Sequence, residues 1–216
     1  MIKGIIFDLD GTTIYTIEDL TDAVNLTLKE FGFPSRSLDE VRNGIGNGFR
    51  RLIKAIVPEG TDEETEIRVG DRYRQIYAEV FRNKSRAYDG MNEVMKELSD
   101  KGIKLAVNSN KGDKLTKELI YNCYPDIEFV AVYGAREGIA HKPDPTTANE
   151  IASTMNLNNE EVMYVGDSDV DIKTAKNAHM VSVGCLWGYR DLDNLRDAGA
   201  DYIISRPEEL LRCIDE

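Results

Sequence analysis

The stretch VGDSDVDIKTAKNA sets Asp167, Asp169 and Asp171 at alternate positions directly after a short apolar run. Carboxylates this close repel one another, and a hard cation that prefers oxygen ligands relieves the repulsion. A calcium loop of the EF-hand kind opens with the same Asp-x-Asp-x-Asp pattern but needs Gly at its sixth position and Glu at its twelfth. Ile172 and Ala178 stand there instead. The cluster therefore calls for other partners, and IIFDLDGTT near the start of the chain offers them. Asp8 and Asp10 are two residues apart, so on an extended chain they point the same way, and Gly11 lets the backbone turn sharply after them. Taken alone, Asp-x-Asp-Gly after a strand serves equally well as an ordinary turn. Two further candidates are Ser109 in VNSNK and Lys142 in HKPDP. Singly, they read as a loop serine and a surface lysine.

What would position these groups is visible in the hydrophobic rhythm. Short apolar runs (5–7, 105–107, 129–132, 162–165, 181–183, 202–204) are bounded by Gly, Asp or Asn and alternate with helical patterns. One such helix carries Met91, Val94, Met95 and Leu98 at the spacing of a buried face. Strands apolar on both faces and separated by helices predict an α/β fold with a doubly wound parallel sheet. All four candidate segments then fall at C-terminal strand ends or the loops beside them, where such sheets bind ligands.

The rhythm breaks between residues 15 and 85, which read as helix. Leu20, Ala23, Val24, Leu28 and Phe31 mark one amphipathic face, and Tyr73, Ile76, Tyr77, Val80 and Phe81 another. This segment is expected to be a small α-helical cap domain inserted after the first strand. The expected catalytic core is then discontinuous, 1–14 with 86–216, and the cap sits as a lid on the site.

With 39 acidic against 27 basic residues the formal charge is −12, and no Lys/Arg run is dense enough to track a phosphate backbone, so no nucleic-acid partner is expected. Three cysteines without Cys-x-x-Cys spacing indicate neither a disulfide framework nor a zinc site. The apolar stretch before Asp8 is too short for a signal peptide and no later run reaches membrane-spanning length. A cytoplasmic protein with no membrane partner is expected, monomer or homodimer both open. No internal repeat, low-complexity segment or flexible linker interrupts it.

Four motifs in order, FDLDGT, the Ser of VNSNK, the Lys of HKPDP and GDSDVD, resemble the haloacid dehalogenase superfamily, specifically its phosphatases with a helical cap and most closely the phosphoglycolate phosphatase-like group. The resemblance spans essentially the whole chain. It implies a Mg²⁺-dependent phosphatase acting on a small-molecule phosphate ester through an aspartyl phosphate. Asp8 would be the nucleophile and Asp10 the general acid, then base. Ser109, the Asn110 backbone N–H and Lys142 would hold the transferring phosphoryl group. The metal would take Asp8, the Asp10 carbonyl and Asp167, with Asp171 supporting from behind. Asp169 reads as a first-turn helix acid favoured by the dipole. His141 is only a neighbour of Lys142. His179 stands at a helix end where Gly is usual, a place where His tolerates positive φ. After DGT the family pattern commonly has an Asp where Tyr15 stands here, which bears on the cap hinge and on substrate contact.

The cap stretch VRNGIGNGFRRLI sets Gly44, Gly46 and Gly48 in an expected mobile turn opening a helix, with Arg42, Arg50, Arg51 and Lys54 near it. Free N–H groups at a helix start and a bidentate Arg suit an anion, Arg50 being the candidate substrate contact. The same arginines also serve as an ordinary solvated face. With the resemblance, this favours 2-phosphoglycolate ahead of pyrophosphate, sugar phosphates and nucleotides. A dehalogenase would need no metal and usually lacks the acid at Asp10. A phosphomutase on the same site stays open. A non-catalytic receiver module is shorter and has no helical insertion.

Overall fold

The computed structural model describes residues 1–45 and 48–214. Its elements run in the order β1 (Gly4–Phe7), β2 (Ile14–Tyr15), α1 (Ile17–Glu30), α2 (Leu38–Gly44), α3 (Phe49–Ile56), α4 (Glu63–Val80), β3 (Arg86–Ala87), α5 (Met91–Asp100), β4 (Lys104–Gly112), α6 (Asp113–Cys123), β5 (Phe129–Ala135), α7 (Thr146–Met155), β6 (Val162–Gly166), α8 (Asp169–Asn177), β7 (Val181–Cys185), α9 (Leu192–Asp197), β8 (Tyr202–Ile204) and α10 (Leu210–Cys213). Six strands form a sheet in the order β5-β4-β1-β6-β7-β8, all pairs parallel. Strand β1 is central, which is why Ile5, Ile6 and Phe7 are apolar on both faces and fully buried. Each such side chain contributes about 1.5–3 kcal/mol relative to exposure.

Register decides what the sheet delivers to its rim. Phe7 lies level with Val107 on one side and Val165 on the other. Asp8, Asn108 and Gly166 come next in the three strands, so the segments that follow them emerge at one common edge of the sheet. Strand β4 runs further than its apolar core suggests, through Asn110 to Gly112, because a register shift after Asn108 lets Gly112 pair with Ala135. Such irregularities re-aim side chains near a strand end.

The chain divides into two compact units, 1–14 with 87–216 and 15–86. In the second, α1 buries Leu20, Ala23, Val24 and Leu28, and α4 buries Tyr73, Ile76 and Tyr77. Tyr73 and Tyr77 stack with ring centroids 5.6 Å apart, extended by Phe49 and Phe81. Arg86, expected in the first unit, falls in the second, its guanidinium 4.3 Å from the Tyr15 ring centroid and paired with Glu18.

The glycine-rich stretch differs from its expectation. Gly44 is no turn residue: it ends α2, buried, and a Cβ there would come within 3.1 Å of Leu52, so it is small for the sake of α2–α3 packing. Gly48 does open α3, with φ 88. Gly46 lies outside the described residues. Arg50 is exposed and pairs with Glu63 at 2.5 Å, and Arg42 pairs with Asp39 at 3.1 Å.

Candidate functional site

Strand β1 hands over to a tight loop in which the Leu9 carbonyl accepts from the N–H groups of Thr12, Thr13 and Ile14 and Gly11 turns at φ 90. Asp8 stays tied to the sheet, its N–H donating to the Val165 carbonyl at 2.9 Å. On the far side of β6, α8 begins with a reciprocal cap: Ser168 N–H and Oγ both donate to Asp171 Oδ2, at 3.1 and 2.6 Å. These two constraints bring opposite ends of the sequence together. Asp8, Asp167 and Asp171 each offer a carboxylate oxygen within 4.8 Å of the others, and all three are buried.

Lys142 ties the group together. Its ammonium donates to Asp8 at 2.7 Å and to Asp171 Oδ1 at 2.7 Å. Its backbone is gripped at both polar groups by the Asn110 side chain, which accepts from Lys142 N–H at 2.9 Å and donates to its carbonyl at 3.2 Å. Asn110, expected to act through its main chain, thus also holds Lys142 through its amide. Ser109 is buried beside it, its hydroxyl accepting from Lys111 N–H at 3.2 Å.

Asp167 is walled in. Oδ1 accepts from Thr12 Oγ at 3.2 Å and Oδ2 from Tyr189 N–H at 2.6 Å. A Cβ on Gly188 would overlap Asp167 and the Gly11 carbonyl, so only glycine lets the loop after β7 approach this closely. Trp187 on the same loop donates its indole N–H to the Thr12 carbonyl at 2.9 Å. This loop and Thr12 went unread in the sequence because the Tyr189 donor is a backbone N–H with no residue-type signal and the Thr12 and Trp187 contacts join segments far apart in the chain. A Trp-Gly pair just past a strand is the one trace of it.

The electrostatics follow from burial. Desolvation, then the Asp171 charge, push the Asp8 carboxyl well above its ordinary value, with Lys142 pulling the other way. Burial and Asp171 push Asp167 up to about 7 against the Tyr189 N–H. Burial alone would lower Lys142; Asp171 and Asp8 outweigh it and hold the ammonium firmly charged. If all three carboxylates ionise, one ammonium would leave two negative charges uncompensated in this group, which is why burial resists that state without a further cation. An all-oxygen donor set with that balance fits a divalent hard cation such as Mg²⁺.

The other expected residues lie outside the carboxylate triad. The Asp10 carboxylate is outside the triad and pairs with Lys111. Asp169 opens α8 and pairs with Lys173 at 2.6 Å. His141 is exposed, and His179 takes φ 56 at the end of α8. Arg50 belongs to the 15–86 unit.

Comparison with known proteins agrees with this geometry. Residues 5–185 match the haloacid dehalogenase-like hydrolase family. A phosphoglycolate phosphatase of Aquifex aeolicus is 31% identical, over 99% of this chain and 97% of that protein. One of Vibrio parahaemolyticus is 30% identical, over 99% and 96%. A crystal structure from Lactobacillus delbrueckii subsp. bulgaricus superposes with TM-score 0.92 at 29% identity, covering 98% of each chain. A haloacid dehalogenase-like family protein of Streptococcus pneumoniae, at 22% identity, shares the fold with TM-score 0.88 over 98% of each chain. A six-stranded parallel sheet that gathers buried aspartates from its first and fourth core strands, in a chain matched along most of its length, belongs to the haloacid dehalogenase-like hydrolase family.

Proposed function

We propose that the protein is a Mg²⁺-dependent phosphatase that cleaves a small phosphate monoester through an aspartyl phosphate, with 2-phosphoglycolate the first substrate to test. The observation that carries the reading is the buried convergence of Asp8, Asp167 and Asp171 on one another, with Lys142 paired to Asp8 and Asp171. Asp8 attacks phosphorus, the P–O bond to the leaving alcohol breaks, and Asp10 gives that oxygen its proton. Water then attacks the acyl phosphate and returns a proton to Asp10, releasing inorganic phosphate and the Asp8 carboxylate. Ser109 and the Asn110 N–H hold the phosphoryl oxygens, and Lys142 offsets their charge. Asp8, Asp167 and the Asp10 carbonyl would hold the cation, with Asp171 fixed behind by Ser168 and Lys142. When bound, it screens the Asp8 carboxylate from the phosphoryl oxygens.

Magnesium binding has a readout apart from turnover. Mg²⁺ is expected to raise the Tm of the protein and EDTA to reverse the rise. Asp167→Asn should lose the shift, while its metal-free Tm stays level or rises because a buried, repelled charge is gone. Asp169→Asn, whose carboxylate faces Lys173, should keep the shift. Equal behaviour of the two variants refutes the metal assignment.

The substrate preference rests on the relatives' names and on the α3 start. There Arg50 pairs with the exposed Glu63, a surface ion pair worth about 0–1 kcal/mol. Phosphate release with Mg²⁺ is expected to give the highest kcat/KM for 2-phosphoglycolate, ahead of pyrophosphate, sugar phosphates and nucleotides. Arg50→Ala should raise KM for phosphoglycolate and leave an aryl phosphate unaffected. A neutral-tailed sugar phosphate winning by a wide margin would end the second-anion reading.

A further inference from the structure

Lys111 is buried at the rim of the sheet, with 5% of its side chain exposed, and its ammonium straddles the Asp10 carboxylate at 2.9 Å from Oδ1 and 3.0 Å from Oδ2. We propose that Lys111 is a positioning residue that fixes the plane and rotamer of Asp10 for proton transfer to the leaving group.

The support for Lys111 is built in. Its carbonyl accepts from Thr116 Oγ at 3.1 Å and its N–H donates to Ser109 Oγ at 3.2 Å. A Cβ on Gly134 would overlap the Lys111 carbonyl and the Asp113 Cα, so the neighbouring strand also presses on this backbone. A lysine normally gives up considerable rotamer freedom to hold one geometry; here that ordering is completed on folding. The buried cations are thereby divided. Lys142 serves Asp8 and Asp171, and Lys111 serves Asp10. A single contact on one oxygen would leave the carboxylate free to rotate, whereas contact with both does not. Proton transfer needs heavy atoms within about 2.6–3.2 Å, so an Asp10 free to rotate loses rate without losing substrate affinity. The inference rests on the acid role proposed for Asp10.

The test compares leaving groups in a single turnover with Mg²⁺. An alkyl phosphate needs a proton from Asp10 for its alcohol to leave; 2,4-dinitrophenyl phosphate does not. Lys111→Met is expected to slow alcohol release from the alkyl ester by about 10²-fold while dinitrophenol release stays near the unsubstituted rate, with KM for both little changed. Lys111→Arg should recover part of the loss. Equal losses on both esters, or no loss on either, overturn the proposal. A second measurement needs no activity: the Tm values of Asp10→Asn, Lys111→Met and the double variant. Each single variant removes one charge of the pair and leaves the other without it, so the double variant is expected to melt above the additive value. Additive shifts also overturn it. A wild-type enzyme that transfers no phosphoryl group from either ester would instead refute the proposed function, and the Tm cycle would still judge the pair.

Discussion

Replacing Lys142 with Met is expected to cost about 3–5 kcal/mol of folding stability, the range for stranding a buried charge by removing its partner. The ammonium lies 2.7 Å from both Asp8 and Asp171, which are 7% and 1% exposed. Without it, the two carboxylates and Asp167 face one another with no cation among them. The folded state must then take up protons or open. Urea denaturation at neutral pH checks the size of the loss. Repeating it at lower pH checks the cause, because protonating the carboxylates removes the repulsion and the deficit should shrink. A loss that does not change with pH would mean Lys142 acts through packing alone. Mg²⁺ should recover part of the stability, since a divalent cation serves the same charge balance.

Asp8→Asn should behave oppositely, with a fall in kcat of about 10³-fold or more and no loss of stability. An amide keeps the shape of the carboxylate but cannot form the acyl phosphate. For stability the direction follows from proton binding. The Asp8 carboxyl, raised well above its ordinary value of 3.8, holds a proton more tightly folded than unfolded. Its contribution therefore declines as pH rises from 3.8 through the raised folded value, because burial disfavours its negative charge. Removing that charge leaves Lys142 paired with Asp171. Rapid quench with labelled substrate, together with denaturation at neutral pH, tests both halves. A labelled protein formed by Asp8→Asn would move the nucleophile elsewhere.

The parallel sheet was legible because its strands are apolar on both faces, and the helices of 15–86 because their apolar positions recur at helical spacing. The aspartates were legible as types and spacings at strand ends. What escaped was contact that spacing cannot encode. Lys111 stands two residues after Ser109 and looks like any surface lysine until β4 brings it against Asp10, 101 residues away. The Asn110 side chain looks local, yet it grips Lys142 across 32 residues. Tyr189 holds Asp167 through a main-chain N–H, for which no side chain speaks. Gly44 was misread because a glycine chosen for helix packing and one chosen for a turn are the same letter; only Leu52 tells them apart.

The central place of β1 also sets a schedule for synthesis. Ile6 pairs with Ala106 on one side and Tyr164 on the other, so β1, made before both β4 and β6, has no complete set of neighbours until those strands have followed. The helices of 15–86 form a contiguous unit and can collapse on local contacts while that strand waits. Asp8 is thus made well before the surroundings it needs: a nascent chain stalled before β6 carries Asp8 but neither Asp167 nor Asp171.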